Sequence, residues 1–306
     1  MGTIKKNKAV IAFAIIVAMI MGFTLSNINK LHIVNASTNS RSYFKYEASD
    51  GGYFGFYTLP QTNNLSRSII NLPDDRVNDK VYNGVVKLIG STNYLGTGFI
   101  VNNHVIATAA HCVYNSDYTS KVVEDILVFN SNNSVSAHLT PVEIHIPCEY
   151  LTCMSNNDLQ EAKKYDYALI TVAQSLPATT YTHFNLSTCF DNVSLASNSL
   201  KVTGFPQDVN NNLVNTKTSH SQYTGTGNLQ DLTDYKLFHD ADTSGGNSGG
   251  PVYIEETINN NKCYTVLAIH TCGEDGNDND NSENNCGTRI TTDIMKFYMS
   301  NSNIGY

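Results

Sequence analysis

One short stretch constrains this chain more than any other: residues 245–251, GGNSGGP. Glycine permits backbone conformations that are closed to other residues, so a serine between glycines sits on a tight turn with open space beside its hydroxyl. The turn can point the N–H groups of Gly246 and Ser248 at one position, where they would stabilise a developing oxyanion. We predict that Ser248 is a nucleophile; the alternative is an ordinary glycine-rich loop.

A serine hydroxyl needs a base, and one of the nine histidines stands out as the candidate. His111 directly follows an apolar run that ends in small residues, VIATAA at 105–110. A lone histidine on an apolar segment is more often structural than catalytic. The serine turn in the same chain reverses that expectation, so we predict that His111 is the base.

A buried carboxylate would complete a catalytic triad by orienting the imidazole. Most aspartates between His111 and Ser248 lie in Asn- or Ser-rich loops, but Asp166 opens the apolar run DYALITV at 166–172. A charge at the head of an apolar strand needs a partner, and the histidine would provide one. The alternative is a strand-end cap.

The order of these three residues separates two protease-like architectures. The serine turn also fits the G-x-S-x-G motif of α/β-hydrolases, whose triad runs Ser, Asp, His along the chain. Here the order is His111, Asp166, Ser248, and His270 is the only histidine among the 58 residues after the serine. That length is too short to complete an α/β-hydrolase sheet, whereas the order is that of chymotrypsin-like proteases.

Several motifs resemble one family. Three motifs resemble those of the trypsin/chymotrypsin superfamily: AAHC at 109–112, DYAL at 166–169 and GNSGGP at 246–251. Three more resemble those of its bacterial glutamyl endopeptidase branch: TGFP at 203–206, DTSGGNS at 242–248 and IH at 269–270. The likeness extends roughly over residues 69–300.

This resemblance implies a fold and a reaction. The fold would be all-β, with two six-stranded antiparallel barrels and a C-terminal helix. The reaction would be peptide hydrolysis by the triad His111, Asp166 and Ser248, with an oxyanion hole at Gly246 and Ser248. A non-catalytic binding module on the same fold is the alternative from another functional class.

The resemblance also implies a pocket for an acidic side chain. Thr243 and His270 stand where glutamyl endopeptidases bind the substrate carboxylate, and the new amino group of Ile69 is expected to join them. A carboxylate that leaves water needs such donors, so we expect cleavage after Glu, with Asp tolerated. Trypsin-like cleavage after Arg or Lys is the alternative, because Asp242 lies six residues before Ser248. A core role is the alternative for His270.

The first 68 residues are predicted to be removed. Three lysines precede an uncharged apolar run from Ala9 to Leu25, which predicts a secretory signal peptide over 1–36 and a secreted, extracellular protein. An uncleaved membrane anchor is the alternative. Residues 37–68 are interpreted as a propeptide, or else a flexible linker, because they are too few for a core. The protease domain is then 69–306, and IINLPDDR at 69–76 resembles the mature amino terminus of glutamyl endopeptidases.

Charge bears on the partners. Seven of the 19 basic and two of the 27 acidic residues precede Ile69, which leaves a net charge of −13 on residues 69–306. This disfavours nucleic acid and anionic membranes. We expect protein or peptide substrates, a monomer without stable membrane association after signal removal, and no cofactor. No spacing suggests zinc; calcium in the acidic loop at 274–280 is an alternative to a solvated loop.

Seven cysteines in an exported chain permit disulfides. Cys148–Cys153 and Cys272–Cys286 could close local loops, and the odd count leaves a thiol over. The cysteine that normally pairs with the one after the catalytic histidine is absent; by spacing, Gly96 takes its place opposite Cys112.

Short β-rich runs between turn residues fit an all-β barrel pair. We predict strands within 81–89, 97–101, 104–110, 121–129, 167–173, 200–205, 251–255 and 263–270, and a helix over 291–300. The base and the aspartate would then lie in the first barrel and the serine in the second.

Overall fold

The structure is a computed structural model of the 306-residue chain. It describes residues 31–34, 43–47, 53–57, 74–91, 93–114, 123–188, 199–209, 212–258, 261–272 and 284–302. The strands within these ranges are β1 Leu31–Val34, β2 Tyr43–Glu47, β3 Tyr53–Tyr57, β4 Val85–Gly90, β5 Tyr94–Asn102, β6 Val105–Thr108, β7 Val123–Phe129, β8 Val135–Leu139, β9 Pro141–His145, β10 Ala168–Val172, β11 Asn185–Ser187, β12 Leu200–Gly204, β13 Asp208–Val209, β14 Asn212–Leu213, β15 Tyr223–Gly227, β16 Leu229–Leu232, β17 Lys236–His239, β18 Pro251–Ile258, β19 Asn261–Cys272 and β20 Asn285–Arg289. The helices are α1 Ala110–Val113, α2 Cys148–Ser155, α3 Leu159–Ala162, a 3₁₀ turn Lys163–Tyr165 and α4 Thr292–Ser302.

The first sheet is antiparallel, in the order β8-β7-β4-β5-β6-β10-β9. Its two edge strands, β8 and β9, follow each other in the chain with only Thr140 between them. One bent segment therefore supplies both edges, and the sheet curls into a six-stranded barrel without a free edge.

The second barrel closes in the same way. Antiparallel pairs link β18, β12 and β15, then β16, β17, β20 and β19, and β19 returns to β18. Only Asn228 separates β15 from β16, so these two form one bent strand. The predicted pair of six-stranded antiparallel barrels is confirmed.

Strands at the amino-terminal end add to the second barrel. β1, β2 and β3 form an antiparallel sheet, and β3 pairs in parallel with β11, which itself pairs with β19. They fall within the segments predicted as signal peptide and propeptide. The apolar run 9–25 and Ile69 lie outside the described residues. None of the helices in the described ranges has the length and apolarity needed to cross a membrane.

Helices flank the first barrel. The predicted C-terminal helix is confirmed as α4, which buries Ile294, Met295 and Tyr298. The Tyr298 hydroxyl donates to the Ala168 carbonyl oxygen of β10 at 2.8 Å, which ties the helix to the barrel. The sequence patterns did not predict α2 and α3, which lie between β9 and β10.

One of the two suggested disulfides is present. Cys272 and Cys286 are bonded and join β19 to β20. The suggested Cys148–Cys153 pair is wrong, because both thiols are free. Both lie on α2, five positions apart, and residues at that spacing point to different faces of a helix.

Candidate active site

His111 and Asp166 lie together at one end of the first barrel, where β6 ends and the neighbouring strand β10 begins. His111 lies on α1, just after β6, and Asp166 just before β10, which pairs with β6. The Asp166 carboxylate accepts both hydrogen bonds of the contact, from the His111 main-chain N–H at 2.9 Å and from Nδ1 at 2.7 Å. The His111 side chain stays 34% exposed, and its other ring nitrogen, Nε2, lies 3.8 Å from the Cys112 Sγ.

The carboxylate also sets the charge preference of the imidazole. Burial favours the neutral ring, but Asp166 and the neighbouring Cys112 outweigh it and raise the pKa of His111 well above 6.5. An Asp166 oxygen facing Nδ1 orients the ring with Nε2 directed away from the carboxylate. This arrangement suits a base that is stabilised once it has taken up a proton.

The serine turn lies between β17 and β18 of the second barrel and is bonded to β5 of the first. The Thr97 N–H donates to the Ser248 carbonyl oxygen at 2.8 Å. The Thr97 hydroxyl donates to the Gly246 carbonyl oxygen at 2.8 Å and accepts from the Phe205 N–H at 3.1 Å. One threonine thus fixes the turn against the barrel that carries His111.

Two positions of the turn require glycine, because a side chain there would be strained or would collide with neighbouring atoms. Gly246 and Gly249 have φ of +96° and +82°, in the left-handed region. A Cβ at Gly249 would overlap the Thr97 carbonyl oxygen and the Thr108 hydroxyl, two residues of the first barrel. The glycines that predicted the turn therefore also permit the close contact between barrels.

Gly96 explains how the chain accommodates a free thiol after His111. A Cβ at Gly96 would lie 2.9 Å from the Cys112 Sγ and 2.8 Å from the Ser248 carbonyl oxygen. The position opposite Cys112 is thus the one that spacing predicted. Ser248 and Cys112, the residue after His111, therefore both lie next to Gly96.

The N–H groups of Gly246 and Ser248 have no acceptor among the described residues. The neighbouring N–H groups of the turn are used: Asn247 donates to Ser244, and Gly249 donates to the His270 carbonyl oxygen. Unused N–H donors on a hydrogen-bonded glycine turn can stabilise a developing oxyanion.

His270 lies against the serine turn and is buried with an unused ring nitrogen. Its main-chain N–H donates to the Gly250 carbonyl oxygen at 2.9 Å. Nδ1 of His270 and the hydroxyl of Thr243 are buried without a hydrogen-bond partner in the described part of the chain. Burial, then His239 and His111, lower the pKa of His270 well below 6.5, so the ring is neutral.

A second histidine lies behind His270 and was not identified from the sequence. The His239 ring on β17 is 5.5 Å from the His270 ring, centroid to centroid, and is fully buried. Burial lowers its pKa to about 4, against the opposing effects of Asp240 and the Ala241 backbone. Both imidazoles are therefore neutral at pH 7.

Asp242 is engaged by the segment that follows the predicted mature terminus. Its Oδ2 accepts the Asp75 N–H at 2.9 Å. Arg76 is held by Asp74 and donates from Nη1 to the Ser244 hydroxyl at 2.9 Å. These contacts place residues 74–76 beside the loop that carries Thr243. Short motifs cannot reveal these contacts, because about 167 residues separate the partners in the chain.

The described residues contain no group of three or more His, Cys, Asp or Glu side chains that could hold a metal ion. The acidic loop at 274–280, the alternative site for calcium, lies outside the described residues. No motif marked Tyr94, whose ring lies against Gly246, or Lys87, whose Nζ lies 4.4 Å from the centre of that ring.

Several known proteins are similar to this chain. Residues 74–295 match the family model named Trypsin. A protein named extracellular metalloprotease from Bacillus subtilis is 30% identical over 205 residues, which are 67% of this chain and 57% of that protein. A glutamyl endopeptidase from Bacillus licheniformis is 28% identical over 204 residues, 65% of this chain and 57% of that protein.

This chain thus spans little more than half the length of either relative. Among solved structures, one of a Glu endopeptidase in complex with MPD matches with a TM-score of 0.56 and 20% identity. The match covers 76% of this chain and 98% of that one. At this identity the likeness is one of fold.

Proposed function

The chain belongs to the trypsin family of serine proteases, and we propose that it is a secreted endopeptidase that cleaves after acidic residues, Glu before Asp. The observation that carries the catalytic part is the His111–Asp166 hydrogen bond at 2.7 Å beside a serine turn bonded to the same barrel. Substrates would be proteins or peptides.

The proposed reaction uses three groups in order. Nε2 of His111 takes the proton of the Ser248 hydroxyl as its oxygen attacks the scissile carbonyl carbon. The N–H groups of Gly246 and Ser248 hold the resulting oxyanion. His111 then protonates the leaving amine, and water repeats the sequence to release the acyl group. Because the pKa of His111 is raised, activity should increase with pH as the ring becomes neutral.

The acidic preference rests on two buried polar groups without partners, the Thr243 hydroxyl and Nδ1 of His270. Buried polar groups are normally hydrogen-bonded. A carboxylate from the substrate would satisfy both, since a hydroxyl and an imidazole N–H are donors. A neutral amide would satisfy them less well, and an apolar side chain not at all.

The amino group of Ile69 is proposed as a third donor. Asp75 and Arg76 are attached to the loop that carries Thr243. Ile69 precedes Asp74 by five residues, a span of up to about 17 Å when extended. Cleavage before Ile69 would therefore release an amine within reach of the pocket, and the chain before residue 69 would act as signal peptide and propeptide.

Cleavage after Arg or Lys is the alternative. It requires the Asp242 carboxylate to face the substrate, but one of its oxygens already accepts the Asp75 N–H. Asp74 and Asp75 lie close by, and Asp242 raises the pKa of Asp75 after burial does. The engaged oxygen favours the acidic preference over the basic one.

The test uses the processed protein and three peptides that differ only in Glu, Gln or Arg at the cleavage position. We expect kcat/KM for Glu to exceed that for Gln by about a hundredfold, because unpaired buried donors reject an ill-matched group. Ser248→Ala should abolish turnover. His270→Leu should remove the advantage of Glu over Gln, whereas His138→Leu, an exposed histidine on β8, should not.

The other outcomes assign the alternatives. Turnover of the Arg peptide alone would show that Asp242 faces the pocket and that the acidic preference is wrong. A protein that turns over none of the peptides and does not react with a fluorophosphonate serine probe would be a non-catalytic binding module.

A further inference from the structure

Lys87 is a fully buried lysine on β4, and its acceptors among the described residues include no carboxylate. Its ammonium donates to Oδ1 of Asn215 at 3.1 Å and to the carbonyl oxygens of Thr216 at 2.8 Å and Ser219 at 2.9 Å. Nδ1 of His220 lies at 3.3 Å. These acceptors all belong to one loop between β14 and β15, in the other half of the chain. Burial lowers the pKa of Lys87 to about 7.

The loop that Lys87 holds is connected to the serine turn. The Asn215 amide donates to the Pro206 carbonyl oxygen at 2.7 Å. The Gln207 carbonyl oxygen accepts the N–H groups of Val214 and Asn215. The Gln207 N–H in turn donates to the Gly245 carbonyl oxygen. Two hydrogen-bonded steps therefore separate the ammonium acceptor Asn215 from the first residue of the turn.

A second connection runs through Tyr94 on β5. The Lys87 Nζ lies 4.4 Å from the centre of the Tyr94 ring, a cation–π distance. The same ring packs on Gly246, where a Cβ would collide with the Tyr94 hydroxyl and the Phe205 carbonyl oxygen. Burial and then Asp208 raise the pKa of Tyr94 to about 12, so the phenol is neutral.

We propose that Lys87 is a positioning residue for the oxyanion-binding turn, acting through the Asn215 loop on Gly245 and through Tyr94 on Gly246. An apolar side chain could fill the volume but could not satisfy the converging acceptors, because they require several N–H donors on one atom. The inference rests on the proposed peptidase reaction, but not on the preference for Glu.

The test measures how well the oxyanion-binding turn supports catalysis, independently of which substrate residue is preferred. In Lys87→Met, we expect kcat on the best peptide and the rate of labelling by a fluorophosphonate to fall roughly tenfold, with KM within about twofold. A displaced oxyanion donor weakens the transition state but not the bound substrate. Lys296→Met, which alters an exposed lysine on α4, is the matched control and should change neither rate.

Chemical rescue adds a readout that loss of packing would not give. Lys87→Ala lacks three carbons and the ammonium, and propylammonium replaces these atoms. We expect propylammonium to restore kcat at least fivefold in Lys87→Ala and to leave the wild type unchanged. Propanol, which has the same chain without the charge, should not rescue.

Three outcomes would overturn the proposal. One is a Lys87→Met protein that melts as the wild type does and keeps its kcat. If Lys87→Met does not fold, the kcat of Tyr94→Leu is measured instead, since that substitution leaves the Lys87 hydrogen bonds in place. An unchanged kcat in Tyr94→Leu would also overturn the proposal, whereas a fivefold loss would support it. A wild-type protein that the probe does not label would overturn this inference together with the proposed function.

Discussion

The main-chain N–H of Thr97 donates to the carbonyl oxygen of Ser248 at 2.8 Å, across the junction of the two barrels. The Thr97 side chain reinforces this contact, because its hydroxyl bonds Gly246 and Phe205. One residue of the first barrel thereby fixes the turn that carries the proposed nucleophile of the second. We expect the alignment of Ser248 with His111 to depend on this contact.

Thr97→Val should lower both stability and activity. The substitution keeps the shape of the side chain but leaves the Gly246 carbonyl oxygen and the Phe205 N–H without their partner. We expect a loss of about 2 kcal/mol in the free energy of unfolding and a lower kcat, measured by urea unfolding and peptide hydrolysis. Thr97→Ser retains the hydroxyl and should recover most of both; equal losses in the two variants would contradict the prediction.

Asp166→Asn should leave the fold intact and lower kcat by about 10⁴, because an amide cannot hold the His111 tautomer or stabilise its charged form. The chain offers a matched control in Asp125, whose carboxylate bonds His138 at 2.6 Å on the exposed side of the first barrel. Asp125→Asn removes the same kind of pair and should retain wild-type kcat. Comparable losses in both variants would mean that Asp166 has no special role.

Removal of the disulfide should destabilise the second barrel. Cys272→Ala with Cys286→Ala opens a loop of 14 residues, for which chain entropy predicts a loss of about 3 kcal/mol. The pair Cys148→Ala with Cys153→Ala removes two free thiols and should change stability by less than about 0.5 kcal/mol. Denaturant unfolding of the two double variants measures both losses of stability. A larger loss in the Cys148→Ala, Cys153→Ala protein would contradict the prediction and indicate that these two cysteines are bonded.

Glu255 should contribute stability that is lost in acid. Burial opposes its charge, but hydrogen bonds from Lys201 at 2.8 Å and Lys262 at 2.7 Å outweigh burial and lower its pKa to about 2. A depressed carboxyl pKa stabilises the fold above the ordinary value near 4.5, and this contribution disappears as the pH falls towards 2.

Glu255→Gln should therefore be less stable than the wild type at pH 7, by up to about 1 kcal/mol, and equally stable near pH 2. Urea unfolding of both proteins across this range measures the difference. Glu161→Gln, which breaks an exposed pair with Lys164, should show almost no effect at any pH. A Glu255→Gln difference that does not vary with pH would point to packing instead of charge.

Local patterns were sufficient to identify the fold class and the candidate catalytic residues. A serine among glycines, a histidine after an apolar run and an aspartate before one are each visible within a few residues. Each of the eight predicted β-rich runs overlaps a strand, and α4 agrees with the predicted helix. The chain order of the three residues selected the architecture because it excluded the alternative sheet.

The suggested Cys148–Cys153 bond failed for a local reason that the pattern did not convey. Spacing alone suited a short loop, but the segment folds as α2, where residues five apart face different directions. The bends at Thr140 and Asn228 that close the barrels also have no distinctive sequence, because a strand bends where its partners require it.

The sequence by itself determined which residues are candidates for catalysis and how the strands alternate with turns, because glycine conformations and apolar runs act over a few residues. Only the tertiary structure decided what these residues contact. Lys87 lies in an apolar strand whose sequence shows nothing of the acceptors more than 120 residues away. The same holds for Asp75 on Asp242 and for His239 behind His270. Such pairs form when the barrels close, so burial and hydrogen bonding across long sequence separations decide them.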